Sequence, residues 1–110
     1  FAATERLFDL LDKLLFPYLD AINSGTPDTQ ARGIFGSKAY CAKESETTLS
    51  DARLRALREF TWRGEKRLFV RHLRVSNQTG LEGMRVYFDI IDGQVVIAYV
   101  GPHLPVSTSN

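Results

Sequence analysis

The stretch "MRVYFDIIDGQVVIAYVGPH", residues 84–103, decides the fold class because it has the pattern of a β-hairpin. Two runs rich in Val, Ile, Phe and Tyr are separated by Asp92 and Gly93. An Asp-Gly pair suits a type I′ turn, in which both residues have positive φ. A two-residue turn here sets Ile91 opposite Gln94, and this pairing fixes the register of both strands. The stretch therefore predicts two antiparallel strands.

Alternate side chains of the hairpin fall on two faces of different chemistry. The face expected to pack on a core carries Met84, Val86, Phe88 and Ile90. Continuing the register puts Arg85 beside Val100 and Tyr87 beside Ala98 on the other face. Arg85 and Tyr87 are therefore expected to stand over a shallow, exposed surface. His103 follows the second strand near the end at which Arg85 lies, so we predict that Arg85, Tyr87 and His103 are neighbours.

The run "KRLFVRHLRV", residues 66–75, predicts a further strand with basic residues set between apolar ones. In the favoured phase the inward residues are Phe69, Arg71, Leu73 and Val75. In the alternative phase they are Leu68, Val70, His72 and Arg74. The favoured phase leaves His72 and Arg74 on the same outer face as Arg85 and Tyr87.

Two segments have the spacing of amphipathic helices. Residues 4–16, "TERLFDLLDKLLF", place leucines on one side, and Pro17 should end or kink this helix. Residues 48–60, "TLSDARLRALREF", begin with a Thr-x-x-Asp capping box. The prediction is an α+β fold, with two main helices packed on one face of a small antiparallel sheet of three or four strands.

Residues 23–46 carry Gly, Pro and scattered polar residues without a sustained period. They predict a long loop with at most a short strand. A connection of this length is uncommon in a compact domain, so it is a candidate lid or partner-binding arm.

The composition is that of one globular domain of 110 residues, with 44% apolar and 25% charged residues. The single cysteine cannot form an internal disulfide, which favours a reducing, cytoplasmic location. No apolar run approaches the ~20 residues that span a bilayer, so no membrane is expected. Because the chain begins with Phe1 and not with Met, we expect either that a segment is missing before it or that it is cut from a longer protein.

Basic residues are concentrated in one part of the chain. The whole sequence has a net charge of +1, but residues 53–85 contain nine Lys or Arg and three acidic residues. Local basicity of this kind suits a polyanion, although a solvated basic face is the simpler explanation. Arg53 and Arg58 should project from the exposed side of the second helix, where they could contact phosphate.

The outer-face residues suit cleavage of RNA without a metal ion. Histidine can transfer protons near neutral pH, and arginine makes bidentate contacts to phosphate. Tyr87 could stack on a splayed base. The alternative is that each histidine bonds a backbone carbonyl or caps a strand, and that Tyr87 packs across onto Ala98.

The sequence contains no motif for other kinds of catalytic or cofactor-binding site. Two histidines and one cysteine have no zinc-ligand spacing, and no phosphate loop, nucleophile elbow or dinucleotide fingerprint is present. We therefore expect neither a metal nor a cofactor.

Residues 71–103, "RHLRVSNQTGLEGMRVYFDIIDGQVVIAYVGPH", resemble the RelE/ParE superfamily of small bacterial toxins. The shared pattern is a basic strand, a strand around Arg-Val-x-Tyr/Phe, a tight turn and an apolar strand ending in a basic residue. The resemblance implies a metal-independent ribonuclease that acts on messenger RNA at the ribosome and is held inactive by an antitoxin, although some members of the superfamily instead poison DNA gyrase. It would make Arg85 the sheet arginine and His103 the terminal acid/base.

The sequence thus predicts a toxin-like module directed at RNA, with metal-independent endoribonuclease activity on messenger RNA. The predicted catalytic residues are Arg85, Tyr87 and His103. The predicted RNA-binding residues are Arg53, Arg58, Arg71, His72 and Arg74. Expected partners are RNA or the ribosome and a cognate antitoxin or other protein. The competing hypothesis is a non-catalytic interaction or regulatory domain that uses its basic face or an exposed strand edge.

Overall fold

The structure is a computed structural model that describes residues 2–76 and 83–107. It has the predicted α+β fold. Its helices are α1 (Ala2–Lys13), α2 (Leu19–Asn23), α3 (Asp28–Ala31), α4 (Glu46–Ser50) and α5 (Ala52–Ala56). Its strands are β1 (Tyr40–Cys41), β2 (Glu59–Trp62), β3 (Glu65–Leu68), β4 (Arg71–Arg74), β5 (Met84–Ile91) and β6 (Gln94–Pro102). None of the described helices is both long and apolar enough to cross a membrane.

Pro17 interrupts the first α-helix, as predicted, although the chain stays helical through the proline. A π-helical turn, Leu14–Tyr18, contains the proline and joins α1 to α2. Proline has no N–H to donate and its ring crowds the preceding turn, and the wider π turn accommodates both effects. Leu10 and Leu14 on one side of the helix are fully buried, so its apolar stripe packs on the sheet as expected.

The segment 23–46 is not a long loop, although the short strand expected within it is present as β1. It holds α3, a 3₁₀ turn (Arg32–Phe35) and β1. Ala31, Phe35 and Ala39 are buried in the main core. Their spacing follows no single helical or strand period because three short elements share the segment, and so periodicity could not reveal it.

The second predicted helix, 48–60, divides into α4 and α5 and then gives way to β2. Ser45 and Asp51 cap the two short helices, with side chains accepting from Thr48 N–H and from Arg53 and Leu54 N–H respectively. The predicted capping box was therefore wrong, because Asp51 begins a new helix instead of closing the turn begun at Thr48. β2 and β3 form a separate two-stranded sheet.

Four antiparallel strands form the main sheet, in the order β1-β4-β5-β6. The hairpin turn is as predicted, with φ of 53° at Asp92 and 76° at Gly93 and with Ile91 opposite Gln94. The register shifts by one residue between Tyr87 and Phe88.

This β-bulge corrects the predicted pairing beyond it. Tyr87 lies opposite Tyr99, and Arg85 lies opposite Gly101. Tyr99 therefore joins the face of Tyr87, and Val100 moves to the face that packs on the helices.

Both faces of the main sheet are covered, although only one was expected to be. The helices pack on Val86, Phe88, Leu73 and Val75. The β2–β3 sheet packs on the opposite face, where Phe60 and Trp62 contact a small core of Phe69, Ile91 and Val96. Residues expected to face solvent therefore lie between two layers.

Candidate functional site

Tyr87 and His72 lie in a buried cluster under the segment that precedes α4. The Tyr87 hydroxyl donates to Glu44 Oε2 at 2.9 Å, and the two aromatic rings are stacked with centroids 4.6 Å apart. Tyr87 is 2% exposed and His72 is 6% exposed. Burial first, and then the negative charge of Glu44, raise the pKa of Tyr87. The prediction that Tyr87 stands on an open surface was wrong.

Arg58 belongs to the same cluster and is fully buried. Its Nε donates to Glu44, and its two terminal nitrogens donate to Leu54 O and Pro105 O, each at 2.9 Å. Its guanidinium also lies over the Tyr87 ring, 5.8 Å from the centroid. The exposed, phosphate-contacting position predicted for Arg58 was therefore wrong, because this side chain anchors the covering segment to the sheet.

The His72 ring is held in place by a backbone contact. Its Nδ1 lies 2.8 Å from Val70 O, and its Nε2 lies 3.9 Å from Glu44 Oε1. Burial lowers the pKa of His72, and the charges of Arg74 and Arg85 lower it further. His72 lies on the same face of the sheet as Arg74 and Arg85, as predicted. It is buried there and does not face solvent.

Arg71 lies on the helix-side face in a second polar network. Its Nη2 donates to the Tyr18 hydroxyl at 2.9 Å, its Nε to the Tyr40 hydroxyl at 3.2 Å and its Nη1 to Asp89 at 3.2 Å. Both tyrosines in turn donate to Asp28. Each nitrogen of the guanidinium has a partner, so this arginine joins the N-terminal helices to the sheet.

Arg74 and Arg85 lie directly opposite each other across β4 and β5, on the face predicted for them. Arg74 is exposed, and Arg85 is 8% exposed. Arg85 Nη1 donates to Ser76 O and Met84 O at 3.3 and 3.1 Å, and Arg74 Nη1 reaches Lys38 O at 3.4 Å. Among residues 2–76 and 83–107, neither guanidinium forms an ion pair with a carboxylate.

The electrostatics of this pair are repulsive. Burial lowers the pKa of Arg85, and the charge of Arg74 lowers it further. Like charges directly opposite in an antiparallel pair destabilise a sheet. A bound anion would remove the repulsion, because each guanidinium can donate two parallel hydrogen bonds to a phosphate or carboxylate.

His103 lies at the same end of the sheet as Arg85, as predicted. Its N–H donates to Gly83 O at 2.6 Å, and Gly101, two residues earlier, is the partner of Arg85. His103 is partly exposed, in contrast to His72. Of the three predicted catalytic residues, Arg85 and His103 therefore share one end of the sheet, and Tyr87 lies beneath a cover.

Tyr99 was missed as a neighbour of this site because its placement depends on the bulge. A Cβ at Gly101 would lie 2.8 Å from the Tyr99 hydroxyl, which places the phenol over the partner of Arg85. The Tyr99 hydroxyl donates to Pro102 O at 2.7 Å. No pattern in the sequence marks a bulge at Tyr87–Phe88, so the strand alternation alone assigned Tyr99 to the wrong face.

Arg53 is exposed, as predicted, but it lies in a groove apart from Arg74 and Arg85. It lines a shallow groove between α5 and the C-terminal segment, together with Asp51, Leu54, Leu57, Pro105, Val106 and Ser107. Across the described ranges 2–76 and 83–107, no group of three or more His, Cys, Asp or Glu side chains could hold a metal ion.

Comparison with protein-family models, with curated proteins and with solved structures gave no match to this chain.

Proposed function

We propose that this domain binds RNA through its phosphates, with Arg74 and Arg85 at the centre of the site. The observation that carries the proposal is the direct apposition of two arginines without a carboxylate between them among the described residues. Apart from Arg53, the other arginines are each paired with a carboxylate: Arg6, Arg32, Arg55, Arg58, Arg63, Arg67 and Arg71. A like-charge contact that no described carboxylate offsets is a feature expected of an anion-binding site.

The surroundings of the pair favour a nucleotide over an isolated phosphate. The Tyr99 ring lies over Gly101, beside Arg85, where a base of a single strand could stack. Arg74 is exposed and donates to the Lys38 carbonyl, so a third basic residue lies near the two arginines. One phosphate on the arginines and one base on Tyr99 would use both features together.

We propose in addition that the domain cleaves the RNA it binds, and His103 is the residue that supports this activity. In metal-independent cleavage the 2′-oxygen attacks phosphorus and loses a proton, while the departing 5′-oxygen gains one. His103 lies at the end of the sheet where Arg85 lies, and an imidazole can either accept or donate a proton in such a reaction. Tyr87 and His72 are buried and hydrogen-bonded, so we assign them no part in the reaction.

The test of binding is fluorescence anisotropy with a short single-stranded RNA and with DNA of the same sequence. We expect Arg74→Gln to weaken RNA binding about tenfold, equivalent to about 1.4 kcal/mol, and to reduce the salt slope by about one. Arg67→Gln is the matched control, because it removes the same charge from an exposed arginine paired with Glu65. Equal effects of the two substitutions would contradict a specific site.

The test of cleavage uses the same RNA in a chelating buffer. His103→Ala should abolish strand scission and leave the affinity within about twofold, because the phosphate contacts remain. A wild-type chain that binds RNA and leaves it intact would remove the nuclease part of the proposal and keep the binding part.

A further inference from the structure

Among the residues that the structure describes, β6 forms one edge of the main sheet and carries no charge. β6 is the outermost strand, nine residues long, and its sequence "QVVIAYVGP" contains no Lys, Arg, Asp or Glu. The opposite edge, β1, has two residues. Proteins usually protect an edge strand by shortness, charge or proline, and β6 has only Pro102 at its end and the bulge opposite Tyr87.

The pairing with β5 fixes which backbone groups of β6 face outward. Ile91 and Gln94 flank the two-residue turn and exchange hydrogen bonds, so Val95 and Ile97 direct their N–H and C=O groups away from β5. Beyond the bulge, Val100 does the same. The hydrogen bond from His103 N–H to Gly83 O agrees with this alternation of inward and outward backbone groups.

The side chains of the same residues form an apolar ledge. Val95, Ile97 and Val100 lie opposite Ile90, Phe88 and Val86, so they belong to the helix-side face. Ile97 is 40% exposed and Val100 is 48% exposed, so part of this face is left uncovered at the edge of the sheet. An added strand would cover this ledge while it satisfied the outward backbone groups.

We propose that a second copy of this chain pairs with β6, edge to edge and antiparallel, with Ile97 opposite Val100 of the second copy. Two residues, Ala98 and Tyr99, separate the outward groups of Ile97 and Val100, where a regular strand has one. A regular partner strand cannot match this spacing on both sides of the bulge, whereas a second copy brings the same spacing in reverse.

The charge pattern of β6 and the symmetry of the assembly also favour a second copy of this chain as the partner. The uncharged edge meets its own copy without repulsion, and a two-fold axis closes the assembly so that no β6 edge remains. The axis is perpendicular to the sheet, so both arginine pairs would lie on one face of a continuous eight-stranded sheet. This inference stands on the edge alone and does not depend on RNA binding.

The test is the mass of the full chain by light scattering or sedimentation over a range of concentrations. The wild type should have twice the mass of one chain at high concentration, and Ile97→Lys or Val100→Lys should reduce it to one. Thr61→Lys, on the exposed side of β2, is the matched control and should leave the dimer intact. A wild type that is monomeric throughout, or a dimer that persists in both edge variants, would overturn the proposal.

A cysteine pair tests the register and decides the matter if the lysine variants unfold. In a Cys41→Ser background, Ile97→Cys with Val100→Cys should form a covalent dimer on mild oxidation, since opposed residues lie within disulfide range. Ile97→Cys alone should not, because the two equivalent residues would be too far apart. Equal cross-linking of the single and double variants, or none in either, would contradict the pairing.

Discussion

His72 and Tyr87 stack on each other across β4 and β5, with ring centroids 4.6 Å apart and planes inclined by 18°. Both residues have polar atoms that could serve catalysis, and both use them inside the protein. Tyr87 bonds Glu44, and His72 lies against Val70 O. The pair therefore holds the covering segment to the sheet, and the surface that we propose for ligand binding lies farther along the strands, at Arg74 and Arg85.

Removing the Tyr87 hydroxyl tests this structural role. Tyr87→Phe leaves the stack on His72 but deprives Glu44 of a donor, so we expect a loss of about 1–2 kcal/mol in the free energy of unfolding. Urea denaturation measures it, with Tyr99→Phe, whose hydroxyl is more exposed, as the milder control. A Tyr87→Phe chain of normal stability that no longer bound RNA would place Tyr87 in the ligand site instead.

Glu44 and Arg58 form a buried ion pair beside this stack. Each single substitution, Glu44→Gln or Arg58→Met, leaves one partner without its counterpart in a buried site, so each should cost about 3 kcal/mol or more. The double variant should lose less than the sum, because neither charge then remains alone. A thermodynamic cycle by chemical denaturation measures the difference, and additive losses would show that the two groups do not interact.

The buried imidazole of His72 should make stability depend on pH. Burial lowers the pKa of folded His72 below the ~6.5 of an unfolded histidine, so the unfolded chain takes up the proton more readily. The contribution of neutral His72 is complete above about pH 6.5 and is lost as the pH falls toward the folded pKa. Glu44 favours protonation, while Arg74 and Arg85 oppose it.

The measurement is the urea midpoint at neutral pH and about one unit below pH 6.5. The wild type should lose stability over this interval, and His72→Phe, which keeps a ring on Tyr87 and cannot bind a proton, should lose much less. The same pH slope in both proteins would mean that another group titrates there.

How far the sequence could predict the sheet depends on distance from the turn. The Asp92-Gly93 turn determined the pairing as far as Phe88, because each residue follows from the last by alternation. The bulge then added one residue, and the predicted partners of Tyr87 and Arg85 were wrong by one position. A bulge adds one residue to one strand, and nothing in the apolar sequence of β6 marks where it falls.

The faces of the strands were predicted better than their exposure. His72 and Arg74 do share a face with Tyr87 and Arg85, as the favoured phase of residues 66–75 required. The error was the cover over that face. Residues 66–75 break after Leu68, which frees β3 to pair with β2 and lie over the sheet, and no local pattern distinguishes this from one longer strand.

Glu44 could not have been selected from the sequence. It is a single carboxylate in a polar segment, and its importance comes from three contacts with residues 14 or more positions away, in the turn after α5, on β4 and on β5. Asp28, which receives bonds from Tyr18, Tyr40 and Arg32, is a similar case.

Asp28 should control stability at acid pH. Burial acts to raise its pKa, but the hydrogen bonds from Tyr18, Tyr40 and Arg32 outweigh burial and hold the pKa below its ordinary value. Its contribution is therefore present above about pH 3.9 and is lost as the pH falls through the folded pKa. Asp28→Asn should cost about 1–3 kcal/mol at neutral pH and flatten the acid limb of the stability curve. An unchanged acid limb would assign the acid sensitivity to other carboxylates.

We infer that Arg74 and Arg85 repel each other in the free protein and that an anion bound between the two guanidinium groups removes this repulsion. The most direct test measures both the urea stability and the RNA affinity of Arg74→Gln in one buffer free of phosphate and sulfate. The substitution should weaken RNA binding about tenfold and leave stability unchanged or raise it by about 0.5 kcal/mol, since it removes a like-charge contact. A variant that loses stability while it binds RNA as tightly as the wild type would contradict the claim.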